Sequence, residues 1–162
     1  MRQFLTLRGW SRYDVYFEVS PAGKGSAEQW VREQFPQELR RHRAKHPRSG
    51  LVVVIDADTS DVVERIRGLE KACDDQSVER RGPDEPVLFV IPKRNIETWL
   101  AYLKGQAVNE DDEYAKYDLP SNCRHELERL HEMCQRDHLQ EPAPPSLTRC
   151  CIEFENFWCL IQ

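Results

Sequence analysis

A chain of 162 residues, 40% hydrophobic and 31% charged, has room for one domain with a real core and little for a second. Its net charge of -5 argues against a general nucleic-acid coat protein but leaves space for a local basic surface. No long apolar run occurs, and the opening MRQFLTLRGWSRYD lacks the apolar core of a signal peptide, so a cytosolic protein without a membrane segment is expected.

In chain order, Phe4 to Trp10 mixes apolar and basic residues and reads as a short edge strand or an arm. Tyr13 to Val19 is aromatic and β-branched and stops at a dense turn signal, Ser20 to Ser26, which predicts a first strand with Glu18 near its end. Ser26 can cap a helix carrying Ala27, Trp30, Val31 and Gln34, with Glu28 in its first turn and Pro36 expected to kink or restart it. Arg40 to Arg48, RRHRAKHPR, is the one dense basic run. It reads as a solvated helix face, or as a phosphate-backbone contact through Arg40, Arg41, Arg43 and Lys45.

The organising stretch follows. Leu51 to Ile55 is uniformly apolar and mostly β-branched, the pattern of a strand buried on both faces within a parallel sheet. The period then becomes helical through Val62, Ile66, Leu69 and Cys73, with Thr59 or Ser60 as cap and Asp61 in the first turn. Asp56 and Asp58 therefore stand at the C-terminal end of a strand, where open α/β sheets bind ligands. Two carboxylates at i and i+2 repel unless a cation lies between them, and a hard ion such as Mg2+ or Mn2+ is the usual partner. The plainer reading has one aspartate capping the helix and the other solvated.

After a charged connection, Val87 to Ile91 predicts a second buried strand, stopped by Pro92. Lys93-Arg94-Asn95 turns the chain into a helix with Ile96, Trp99, Leu100 and Leu103 on one face. Asn95 suits the cap, and Glu97 either compensates the helix dipole or faces the same pocket as Asp56 and Asp58. Asn109 to Leu119 reads as an acidic loop, Asn122 to His138 as a helix, Glu141 to Pro145 as a stiff break, and Leu147 to Ile161 as a terminal helix. The six cysteines include no C-x-x-C pair and are expected as reduced thiols. Cys123, His125, His131, Cys134 and His138 concentrate ligand types on one helix, yet Cys123, Leu127, Leu130 and Cys134 share a face, as a core stripe would.

Alternation of strand and helix at least three times, with acidic residues at successive strand ends, predicts an α/β fold: a mostly parallel central sheet with flanking helices and a helical C-terminal extension. A strand ending in Glu18 and another ending in Asp56-x-Asp58 resemble the Toprim domain of topoisomerases, primases and overcoming-lysogenization-defect nucleases. The stretch IPKRNIETWL is similar to the signature of short Toprim-like proteins related to those nucleases, many found near phage-defence genes. The resemblance spans about Tyr13 to Leu103 and implies a Rossmann-like core over residues 13–104, with 105–162 as the extension. It implies a magnesium-binding pair in Asp56 and Asp58, metal binding or proton transfer by Glu18, and a later site at Lys93 and Glu97. The implied activity is Mg2+- or Mn2+-dependent cleavage of nucleic acid, with Lys24 or Lys93 neutralising charge, and a role in phage or plasmid defence. The chain departs from the family where Val19, rather than glycine, follows Glu18, and where Glu28 arrives late.

Other readings compete. Gly23-Lys24-Gly25-Ser26 before a helix suggests a phosphate loop, but Gly25 interrupts the Lys-Ser step. Asp-x-Asp also serves phosphatases of the haloacid-dehalogenase type, which carry it near the N-terminus. A non-catalytic Toprim-like subunit that docks on a larger protein partner through its apolar tail is the rival of a different class.

Overall fold

The computed structural model of the chain describes residues 1–11, 13–22, 26–45, 49–115, 123–135 and 139–161. Among these, six helices surround a two-stranded parallel sheet. In order they are α1 (Arg2–Leu7), α2 (Ala27–Arg43), β1 (Leu51–Val54), α3 (Val62–Asp75), β2 (Val87–Val90), α4 (Ile96–Leu103), α5 (Arg124–Gln135) and α6 (Pro145–Ile161).

The strands pair in register from Leu51 with Val87 to Val54 with Val90. Backbone bonds carry the ladder on, from Ile55 N to Val90 O at 3.1 Å and from Ala57 N to Pro92 O at 2.8 Å. Side-chain alternation then divides the core between the two faces of the sheet. Val53, Ile55, Ala57, Val87, Phe89 and Ile91 pack under α2 and α3 with Phe35, Leu39 and Leu69. Leu88 and Val90 face the other way, into a core built by Phe4 and Leu5 of α1, Trp99 and Leu103 of α4, and Phe154 and Phe157 of α6. Every residue of β2 is buried, which explains its unbroken apolar run, whereas Val54 of β1 is exposed.

Five expectations are corrected. The sheet has two strands among the described residues instead of the larger parallel sheet expected from three alternations. Tyr13 to Val19 is not a strand: it belongs to no sheet, and Tyr13, Tyr16 and Val19 are open to solvent. Strand composition became no strand because strand formation is a property of a pair, and among the described residues no strand pairs with this segment. The opening segment is helical, since Phe4 and Leu5 find a core against α6 and α5 packs on α1. α2 also runs through the buried Pro36 as one helix of 17 residues. α3 starts one residue later than a Ser60 cap would place it and two later than a Thr59 cap would. Asp61 is the N-cap, in a capping box with Glu64.

No described helix is long and apolar enough to cross a membrane. A partly open cavity of about 550 Å3 lies between α1, α4, α5, α6 and β2, walled by apolar side chains and the thiols of Cys123, Cys134, Cys150 and Cys151.

Candidate functional site

Because β1 and β2 run parallel, both strand ends deliver their loops and the helices that follow to the same rim. Asp56 stands there exposed, and no hydrogen bond reaches its carboxylate among the described residues. Its carboxyl is pushed up from the ordinary range, first by desolvation against the surrounding protein, then by the negative charges of Glu97 and Asp58, with Arg65 pulling the other way. This rise ties the three carboxylates to one electrostatic neighbourhood.

The chain turns sharply after Ala57, and Ser60 N donates back to Ala57 O at 3.0 Å. Asp58 takes a left-handed conformation in that turn, with φ 57°, which aspartate tolerates better than most side chains. Its carboxylate lies 3.2 Å from a guanidinium nitrogen of Arg94, whose other arm reaches Glu113 at 2.8 Å. Lys93 Nζ donates to Ser60 O at 3.0 Å and stands 3.9 Å from Asp111. The acidic segment after α4 therefore lies over the two cations of the rim.

Beneath the turn, Arg65 of α3 donates to Ala57 O at 2.9 Å and pairs with Glu28 of α2. Arg65 Nε is buried without a partner, so the guanidinium is held by its two terminal nitrogens. Glu97 occupies the first turn of α4, whose Asn95 cap accepts from Thr98 N at 3.3 Å. Half-buried, it touches both the rim and the mouth of the apolar cavity.

Not every expected residue joins this rim. Glu18 is exposed and lies 3.8 Å from Arg41. Thirteen helical residues separate Arg41 from Glu28, about 20 Å along α2. Since Glu28 belongs to the rim through Arg65, Glu18 sits toward the opposite end of the strands. Lys24 lies outside the described residues, as do His138 and residues 46–48 at the end of the basic run.

The basic run is largely committed to the fold. Arg40 donates to Gln76 O at 2.6 Å, and Arg41 pairs with Glu38. Arg43 grips Glu85 through two nitrogens at 2.6 and 2.9 Å, and donates to the carbonyls of Glu79 and Arg80. That grip holds the Glu85 carboxyl below its ordinary range. Lys45 is exposed just past α2.

Sequence reasoning missed the roles of Arg65, Arg94 and the acidic segment. Arg94 stood beside Lys93 and could have been read with it. Arg65 could have been found from its place four residues after Asp61, one turn above the cap. Among the described residues, no three His, Cys, Asp or Glu side chains gather closely enough to hold an ion by themselves. The Cys123, His125, His131, Cys134 group is no exception: Cys123 and Cys134 turn into the apolar cavity, as a core stripe does. Comparison with known proteins finds no matching family model, no matching curated protein and no matching solved structure.

Proposed function

We propose that the chain is a Toprim-like, metal-dependent nuclease whose rim of Asp56, Asp58 and Glu97 takes a magnesium or manganese ion and acts on nucleic-acid phosphodiesters. The observation that carries this reading is the meeting of Asp56, Asp58 and Glu97 at the C-terminal rim of two parallel strands, with the Asp56 carboxylate exposed and without a hydrogen-bond donor among the described residues. A divalent cation would satisfy that carboxylate and offset the repulsion from its neighbours. The donor set suits a hard ion. Magnesium is commonly held by one or two carboxylates, several waters and substrate phosphate, so Asp56 and Asp58 would suffice as its protein ligands.

When bound, such an ion polarises a phosphoryl oxygen and lowers the pKa of a coordinated water. The chain's own residues supply the rest. Asp56 and Asp58 would hold the ion, with the Arg65–Glu28 pair bracing the turn beneath them. Lys93 and Arg94 bring positive charge to the place where a phosphate would build negative charge. Glu97 is the candidate proton acceptor, at the head of a capped helix. Glu18 is left out of this site because its contact is with Arg41.

Titration calorimetry with Mg2+ and Mn2+, on the native chain and on Asp56→Ala with Asp58→Ala, tests the ion. Supercoiled plasmid and single-stranded RNA test the reaction. Binding that vanishes in the double variant, together with nicking that needs Asp56, supports the proposal. Cleavage indifferent to Asp56→Ala would refute it.

A second reading has its own observation. Tyr13, Tyr16 and Val19 are 81%, 81% and 77% exposed on one short segment, which favours docking on a larger protein partner. Co-purification lost in Tyr13→Ala with Tyr16→Ala, in a chain without nuclease activity, would favour that reading over the first.

A further inference from the structure

The apolar cavity has a wall of unusual chemistry. Cys123 and Cys134 come from the α5 region, and Cys150 and Cys151 from α6, so four of the chain's six thiols line one cavity. Within it, Cys134 Sγ lies 2.7 Å from Cys151 Sγ. A disulfide needs about 2.05 Å, so closing this pair asks for an approach of roughly 0.7 Å, within the reach of side-chain rotation. The two sulfurs belong to different helices. α5 packs on α1 and α4, while α6 packs on β2, so a bond here would join two parts of the second core directly.

We propose that Cys134 and Cys151 form a redox dithiol, closed to a disulfide by a small peroxide entering through the cavity and reopened by thiol reductants. A neutral oxidant of that size suits an apolar wall, which a charged disulfide would enter only at a desolvation cost. The other thiols do not compete equally. Cys73 is buried in the opposite core, and Cys159 stands exposed on α6.

Cys151 keeps its proton because it shares it with Cys134, and burial adds to the effect; burial likewise pushes Cys150 up. Either sulfur of the pair can react first. When Cys134 does, its deprotonated sulfur takes one peroxide oxygen, the O–O bond breaks, and the other oxygen leaves as hydroxide and is protonated to water. Cys134 is now a sulfenic acid. The Cys151 sulfur releases its proton and attacks the Cys134 sulfur, the S–O bond breaks, and that oxygen leaves as a second water. Two thiols and one peroxide become one disulfide and two waters. Since the thiolate reacts, the rate rises with pH.

The test treats the full-length reduced chain, carrying Cys159→Ser to remove the exposed thiol, with hydrogen peroxide, followed by alkylation and peptide mass mapping. The expected product is monomeric, lighter by two hydrogens, and bridged between Cys134 and Cys151, with dithiothreitol restoring the original mass. A bridge through Cys150 instead, or irreversible oxidation of single cysteines with both sulfurs of the pair still open to alkylation, would overturn the proposal. Phenylarsine oxide provides a probe that needs no substitution within the pair. One arsenic bound per native chain, protecting Cys134 and Cys151 from alkylation, is expected, and no arsenic bound would overturn it.

Discussion

Asp56 shows how one side chain can work against the fold that carries it. Its carboxyl is raised, so the folded chain binds that proton more tightly than the unfolded chain does. The penalty for ionising it appears as pH rises from the unfolded value toward the raised folded one, and is fully present above that. Asp56→Asn should therefore raise Tm slightly at neutral pH and leave it unchanged in acid. The same substitution should weaken Mg2+ affinity by more than about tenfold, the lower end of what losing even an outer-sphere partner does. Glu85 behaves oppositely. Held below the ordinary carboxylate range by Arg43, it contributes stability that is complete above the unfolded carboxylate pKa and is lost as pH falls through the lower folded value. Arg43→Ala should remove that acid-side loss from a Tm-versus-pH curve and lower Tm at pH 7, while changing nucleic-acid affinity little. Ser146 is the third informative residue. Its hydroxyl accepts from Trp99 Nε1 at 2.8 Å and from Lys93 N at 3.3 Å, and it donates to Glu110. Ser146→Ala leaves the indole N–H buried without an acceptor, and should cost about 1–3 kcal/mol in chemical denaturation.

At the scale of elements, the clearest constraint precedes β1. A Cβ on Gly50 would lie 2.4 Å from the Phe157 ring, so α6 reaches the sheet only because that position is glycine. Gly50→Ala forces the ring aside and should cost about 1–3 kcal/mol, the usual range for overpacking, read as a lower urea midpoint. Elements with one dominant cause were legible from the residues. β1 and β2 announce themselves by unbroken apolar runs, α3 by its spacing, α4 by its spacing and the Asn95 cap, and α6 by an apolar stretch after the proline break. α1 was not legible, because six residues give no clear period and its helicity depends on a core formed by distant α6. The Tyr13 to Val19 segment misled for the reverse reason, having strand composition without a strand beside it. The site follows the same division. Asp56, Asp58 and Glu97 share a rim because each follows a parallel strand, which the residues alone imply. Glu18 depended on a pairing that is not made, and Arg65 and Arg94 act through contacts that only folding creates.

For the whole molecule, the acidic balance is joined by the pairing of Arg40, Arg41 and Arg43 within the chain, which takes these three away from a polyanion. If Lys93 and Arg94 are the principal phosphate contacts, oligonucleotide binding should show a shallow salt dependence, with a log–log slope of about −2 for duplex DNA. A much steeper slope would mean that the basic run is engaged after all. The second core also has an implication for how the chain is made. Phe4 and Leu5 near its start share that core with Phe154 and Phe157 near its end, while β1 and β2 pair across a much shorter separation. On a ribosome, the sheet and its α2–α3 face can assemble while α6 is still in the exit tunnel, but α1 must wait for α5 and α6. Until they emerge, the nascent chain carries α1 with its apolar face uncovered, a natural grip for a chaperone and a stretch exposed to proteolysis if translation stalls.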